Sequence, residues 1–313
     1  MTTLITGGTG FIGAHIARRL LADGERVVTL DNLPSNVIHG VLEPEEITEV
    51  TMTVGDVTSL RDVARAIQDH GVDRVVHLAS LLHPASNQNP PLAIGVNIGG
   101  QATVLEAARA FGLQRVVWAS SVVVFGDRSH HAPGPVAEDA PHHPENLYAA
   151  TKSFDERLTQ HYVDEWGVDA IGLRPSVVYG PGRVRGATSF VNELLKPVVG
   201  QAAVVPFGDD VVDFQYVEDI AALFATCLTV PRPRSSVFNT NFDVRSIKDA
   251  GAFVQTLVPD ADITYTPGTF GVAFEAQAPL LAEQIGFVPE FSMERGMRAC
   301  ADFLRQDAGL PPL

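Results

Sequence analysis

The chain has 313 residues, 45% hydrophobic and 19% charged, a composition that fills a sizeable core and speaks against general disorder. Its formal net charge of -15 offers no basic face to nucleic acid, and no apolar run reaches the roughly 20 residues of a membrane span. The two cysteines, Cys227 and Cys300, exclude a disulfide framework and are expected as reduced core thiols.

Residues 2–6 (TTLIT) predict a first strand. It starts so early that no signal peptide is expected, and a cytoplasmic protein is. Ile12, Ile16, Leu20 and Leu21 then recur at helical spacing over 11–23. Strands follow at 26–30, 49–54, 73–79, 115–120 and 169–173, with helices expected over 60–70, 97–111 and 146–166. Near-continuous apolar strands separated by helices predict a parallel sheet covered on both faces, an α/β, doubly wound Rossmann fold. The remainder is rich in Pro and Gly and has shorter elements, apart from a return strand and helix at 213–229. The expected division is a dinucleotide-binding domain of 1–173 plus 213–239, and a smaller discontinuous α/β substrate domain of 174–212 plus 240–313. The His- and Pro-rich stretch 127–145 reads as a loop.

Between the first strand and helix lies Thr6-Gly7-Gly8-Thr9-Gly10-Phe11-Ile12-Gly13. Glycines 7, 10 and 13 meet three needs: a tight turn, close approach of backbone to a pyrophosphate, and packing of helix on sheet. The helix N-terminus would then hold the diphosphate. Asp31 closes the second strand, where a carboxylate accepts hydrogen bonds from the adenosine ribose and repels a 2′-phosphate. No Lys or Arg occurs from Val27 to Leu60, so NAD is expected rather than NADP.

Tyr148 and Lys152 stand four apart on a predicted helix and share a face. A phenol titrates near 10. An ammonium one turn away favours its phenolate and fits it to act as a base on a carbinol. Ser121, just past the fifth strand, is placed to hydrogen-bond the substrate oxygen. The lysines are only three, Lys152, Lys196 and Lys248.

Together with LDNL (30–33), GDV (55–57), HLAS (77–80), Asn97, SSVVVFG (120–126), YAATK (148–152), LRPSVVYGPG (173–182) and DFQYVEDIA (213–221), these motifs run along essentially the whole chain. In them it resembles the extended short-chain dehydrogenase/reductase family, in its NAD-dependent, UDP-glucose 4-epimerase-like sugar epimerase/dehydratase group. The resemblance implies Ser121, Tyr148 and Lys152 as catalytic residues; the serine is chosen over Ser120 by its place five residues before Gly126. It implies that Asp56 and Val57 flank the adenine, that Leu78, Ala79 and Ser80 line the cofactor, and that Asn97 contacts it or orders nearby structure. Phe11 and Ile12 in the turn, Asn32 beside Asp31, and Pro175 belong to the same set.

The chain departs from the pattern in three places. Hexose dehydratases carry an acid-base pair after the serine, where Val122 and Val123 stand here, so that dehydration is not expected. Nucleotide-sugar enzymes usually carry an arginine before the DF turn, where Val212 stands here, and a buried diphosphate needs a cation. Arg183 or Arg185 can substitute. His83 is a further candidate substrate contact.

No metal site is expected, because the pairs His130/His131 and His142/His143 lack ligand spacing. Leu105, Phe154 and Leu158 are expected on exposed faces of two helices, which the resemblance implies pair in a homodimer, with burial inside the monomer as the competing view. The reading is an NAD-dependent epimerase, or a plain dehydrogenase, acting on a secondary alcohol or ketone of a sugar-like small molecule. The alternative from another class is a non-catalytic NAD-binding regulator, against which the intact Ser121, Tyr148 and Lys152 argue.

Overall fold

A computed structural model describes residues 1–184 and 186–313. Its strands are β1 (Thr2–Thr6), β2 (Arg26–Asp31), β3 (Val50–Val54), β4 (Arg74–His77), β5 (Arg115–Ala119), β6 (Ala170–Arg174), β7 (Val177–Tyr179), β8 (Ala203–Val205), β9 (Val211–Tyr216), β10 (Val237–Asn239), β11 (Asp243–Ser246) and β12 (Ile263–Tyr265). Seven of them form one parallel sheet in the order β10-β6-β5-β4-β1-β2-β3. The chain direction across the sheet reverses between β1 and β4. In doubly wound sheets that is where a crevice opens at the carboxyl ends of the strands.

The longer helices are α1 (Phe11–Ala22), α2 (Leu60–His70), α3 (Gly100–Phe111), α4 (Leu147–Trp166), α5 (Val217–Thr229), α6 (Ile247–Leu257) and α7 (Met293–Asp307). Successive strand residues serve opposite faces of the sheet. Ile5, Val76 and Val117 pack with Ile16 and Leu20 of α1 and with Leu223 and Phe224 of α5. Their neighbours Leu4, Val75 and Val116 pack with Val63 of α2 and with Val104 and Leu105 of α3. That alternation is why the strands read as unbroken apolar runs.

The helix expected from 97 begins earlier. Pro90–Ala93 is helical, and Ile94–Gly99 forms a π-helical turn that runs into α3 and carries Asn97. Leu105 is a correction: it is fully buried under the sheet, and Leu158 packs partly against the same cluster. Phe154 is half exposed, as are Leu92 and Ile94.

A second unit holds β7, β9 and β11 in one small sheet and β8 with β12 in another. The return strand therefore pairs here, and only its helix α5 and the later β10 join the main sheet. The reason lies in Asp213 of β9. Its buried carboxylate accepts the backbone N–H groups of Phe242 and Asp243 at 2.9 and 3.0 Å and the Gln215 amide at 2.6 Å, which binds β9 to the start of β11. A third apolar cluster, with Val122, Phe190, Val212, Phe214 and Met297, fills this unit. No helix among the described residues is long and apolar enough to cross a membrane.

Candidate active site

The turn after β1 leaves no room for a side chain at Gly7 or Gly13. Gly7 has φ +72°, and a Cβ on it would stand 3.0 Å from the Ala79 backbone nitrogen. A Cβ on Gly13 would stand 2.5 Å from the Gly7 carbonyl oxygen. Gly10 caps α1 with no side chain, and no acid occupies the first turn. The first amides of α1, at Phe11, Ile12 and Gly13, are thus open to an anion. Asp31 ends β2 beside this turn, and its Oδ2 accepts the Thr9 N–H at 3.2 Å. Burial raises its pKa, while bonds from Thr9 and Gly8 work against the rise. The cradle, its open amides and the carboxylate at the end of β2 fit a dinucleotide.

Around it, Leu78 donates its N–H to the Thr6 carbonyl at 3.0 Å, which lays Leu78 and Ala79 along the turn. Asp56 closes its own loop, accepting the Thr58 N–H and hydroxyl at 2.8 Å each. Val57 is buried against Gly100, and Asn32 is exposed. Asn97 is committed to neighbouring chain. Its Oδ1 accepts the Leu81 N–H at 2.7 Å and the Ser80 hydroxyl at 3.1 Å, and its Nδ2 donates to the Leu81 carbonyl and the Thr151 hydroxyl. Of the two roles the resemblance implies for Asn97, the geometry supports ordering: the residue ties the loop after β4 to α4. Pro175 is buried, and its carbonyl accepts the Val122 N–H at 3.1 Å.

Asn146 caps α4, accepting the Ala149 N–H at 2.9 Å, and so fixes where Tyr148 enters the site. Lys152 is buried one turn on, its Nζ 5.9 Å from the Tyr148 ring centre and 5.8 Å from that of Trp118. Burial pushes the Tyr148 phenol up to about 12. The Ser121 hydroxyl and the Arg183 charge act in the opposite direction. Burial lowers the Lys152 pKa, and the carboxylates of Asp155 and Glu156 oppose that.

Ser120 and Ser121 are divided by their partners. The Ser120 hydroxyl donates to Glu156 Oε1 at 2.6 Å, within a buried group the sequence reading missed. Arg174, the last residue of β6, grips both Glu156 oxygens at 2.8 and 2.7 Å and donates to Asn239 at 3.0 Å. His142 joins this group instead of lying free in a loop: its Nδ1 shares a 2.8 Å hydrogen bond with Ser153. Ser121 is left facing Tyr148. A Ser, a Glu four after a Lys and a strand-ending Arg carry no local mark that they meet.

Of the candidate substrate residues, Arg183 reaches the site. Its guanidinium lies 5.3 Å from the Phe11 ring centre, donates to Thr188, and has its Nε buried without a partner among the described residues. Burial pushes its pKa down to about 10. His83 is half-buried, with Nδ1 likewise unpartnered. Arg185 lies outside the described residues. Val122 and Val212 are buried in the apolar cluster of the second unit, with Val123 half-buried beside them.

The family model described as NAD dependent epimerase/dehydratase matches residues 3–240. The chain belongs to that family. It is an NAD-dependent enzyme of the extended short-chain dehydrogenase/reductase type. The UDP-glucose 4-epimerase of Mycolicibacterium smegmatis is 32% identical over 232 residues, 72% of each chain. The Thermus thermophilus UDP-glucose 4-epimerase, solved in complex with NAD, is 27% identical and covers 97% of this chain and 99% of its own, with TM-score 0.82. An L-threonine dehydrogenase from Clostridium difficile, 19% identical with TM-score 0.86 over 98% of both chains, shares the fold alone.

Proposed function

We propose that the protein is an epimerase acting at a secondary carbinol of a sugar-like substrate, a nucleotide sugar in first place. The observation that carries the reading is Ser121, Tyr148 and Lys152 gathered beside the glycine cradle, with the half-buried cation of Arg183 facing the same space. Gly7, Gly10, Phe11, Ile12 and Gly13 would hold the diphosphate of NAD, and Asp31 its ribose hydroxyls. When bound, NAD supplies an acceptor and donor of hydride and a positive ring charge. Ser121 orients the substrate hydroxyl by hydrogen bonding. Tyr148 takes the hydroxyl proton and later returns it to the same oxygen. Lys152 holds the phenolate by its charge, offsetting the effect of burial. Arg183 meets the anionic part of the substrate. The substrate lies between the unit of the seven-stranded sheet and the second unit, which holds β7, β9 and β11.

Val212 favours a second reading, a dehydrogenase of a non-nucleotide hydroxy compound. It is fully buried among apolar side chains, where nucleotide-sugar enzymes usually carry an arginine. One incubation separates the two. With UDP-sugars and NAD, an isomerised sugar without build-up of NADH absorbance supports the epimerase. Stoichiometric NADH with a smaller hydroxy compound, and none with UDP-sugars, overturns it.

A homodimer belongs to the same reading, with Leu92, Ile94 and Phe154 on the shared face. Phe154→Glu is expected to halve the mass measured by light scattering, and a wild-type monomer would sink the idea. A cytoplasmic location fits the free, buried Cys227 and Cys300.

A further inference from the structure

One acid next to the reactive pair has no work in the account above. Asp155 is fully buried on the inner face of α4, three residues after Lys152. Its Oδ2 lies 3.7 Å from Lys152 Nζ, close enough for an ion pair and too far for a good hydrogen bond. Neither carboxylate oxygen has a hydrogen-bond partner among the described residues. Above it, the Trp118 indole flanks Lys152, and its Nε1 is also unpartnered.

The other charged or titratable groups nearby are accounted for. Glu156 is taken up by Arg174 and Ser120. From β4, His77 is tied to Thr6 at 2.6 Å and is held neutral, its pKa pushed down to about 3 by burial and by the Lys152 charge. From the turn after β7, Arg183 acts on Tyr148. From the helix facing α4, Asn97 and Gln101 bond to Thr151 and Thr159 and carry no charge. Asp155 is thus the acid left to act as counter-charge of Lys152.

We propose that Asp155 is a positioning residue for this site: its carboxylate keeps the buried Lys152 in the ammonium form and sets the pH range in which Lys152 and Tyr148 work together. The proposal rests on the catalytic reading of Tyr148 and Lys152. Its sign follows from charge alone. The working state needs a phenolate and an ammonium. A negative Asp155 raises the pKa of both groups, so it moves the whole range upward. Burial pushes Asp155 itself up to about 7, which puts its own ionisation at the edge of that range.

The test uses the scarcity of lysine. Among Lys152, Lys196 and Lys248, only Lys152 is buried, so NMR of protein labelled at lysine Cε resolves it. In the wild type its signal is expected to titrate in two steps, one near neutrality from Asp155 and one alkaline. In Asp155→Asn the first step disappears and the second falls by about one pH unit or more. With turnover, both limbs of the kcat/KM profile move toward acid in the variant. A single step in the wild type overturns the proposal, and this measurement decides even where the variant fails to fold. Slower turnover with unmoved limbs and an unchanged lysine titration also overturns it, leaving Asp155 a packing role. The catalytic reading fails separately, if Tyr148→Phe keeps full activity, while the lysine titration still reports the pair.

Discussion

Arg174 and Glu156 meet as a two-pronged ion pair, with both side chains less than a tenth exposed, at the C-terminal end of β6. The pair holds Ser120, the residue before Ser121, and borders His142. Removing one partner leaves the other charge buried and unpaired. Glu156→Ala is expected to lower stability by about 3–5 kcal/mol, read from the midpoint and slope of urea denaturation. An unmoved midpoint would show that the pair contributes nothing.

In the proposed reading Asp31 bears two duties, toward the adenosine ribose and toward the Thr9 N–H of the glycine turn, which it accepts at 3.2 Å. Losing bonds to a charged group costs about 1.5–3 kcal/mol, so Asp31→Ala should weaken NAD binding about ten- to hundredfold in calorimetric titration. Affinity for NADP should fall much less or rise, because the repulsion of its phosphate is gone. If both cofactors weaken equally, Asp31 acts through the turn alone.

How much of this was legible in the chain follows from how local each feature is. The glycine turn, Asp31 and the Tyr148–Lys152 spacing are short-range patterns whose geometry the backbone dictates, and the strands of the main sheet betray themselves by burial on both faces. Asp155 and Glu156 are also local, yet three and four residues after a lysine they look like an exposed ion-pair ladder; only the docking of α4 under β5 and β6 shows them buried. β9 was harder, because its pairing with β11 is fixed by the non-local bonds that Asp213 accepts from Phe242 and Asp243. Leu105 shows the limit of periodicity, which marks an apolar face without saying whether the chain's own sheet or a second copy covers it.

Tyr148 carries the proton in the proposed reaction, so Tyr148→Phe should slow product formation about 10²–10⁴-fold while circular dichroism stays that of the wild type. In the wild type, oxidation of the alcohol needs the phenolate. Its rate must therefore rise with pH from the acid side, with the phenol starting from about 12 before any cofactor charge acts on it. A rate that is flat from pH 6 to 9, as an order-of-magnitude window around neutrality, would point to another base.

His77 offers a test of stability against pH. Burial, aided by the Lys152 charge, holds its pKa at about 3, against about 6.5 for an ordinary imidazole. The unfolded chain therefore binds a proton that the native state refuses, and stability is lost as pH falls from 6.5 toward 3. One such group contributes a slope of about 1.4 kcal/mol per pH unit in that window. His77→Asn removes the group, so its denaturation free energy should converge on that of the wild type as pH falls from about 6.5 to 4. A constant gap would mean that His77 does not titrate with folding.

Trp118 and Gly172 face each other across neighbouring strands β5 and β6 and share one volume. A Cβ on Gly172 would stand 2.8 Å from the indole Cε2 and Cζ2, in a core where Trp118 is fully buried and its ring flanks Lys152. Gly172→Ala therefore has to displace the indole, an overpacking that costs about 1–3 kcal/mol, and the displaced ring would press on Lys152. Trp118→Phe makes room for the added methyl. The two changes share an atom-level contact and cannot be additive. The cost of Gly172→Ala, measured by urea denaturation, should be smaller in the Trp118→Phe background than in the wild type, with part of the lost turnover restored. Equal costs in both backgrounds would place the indole away from Gly172.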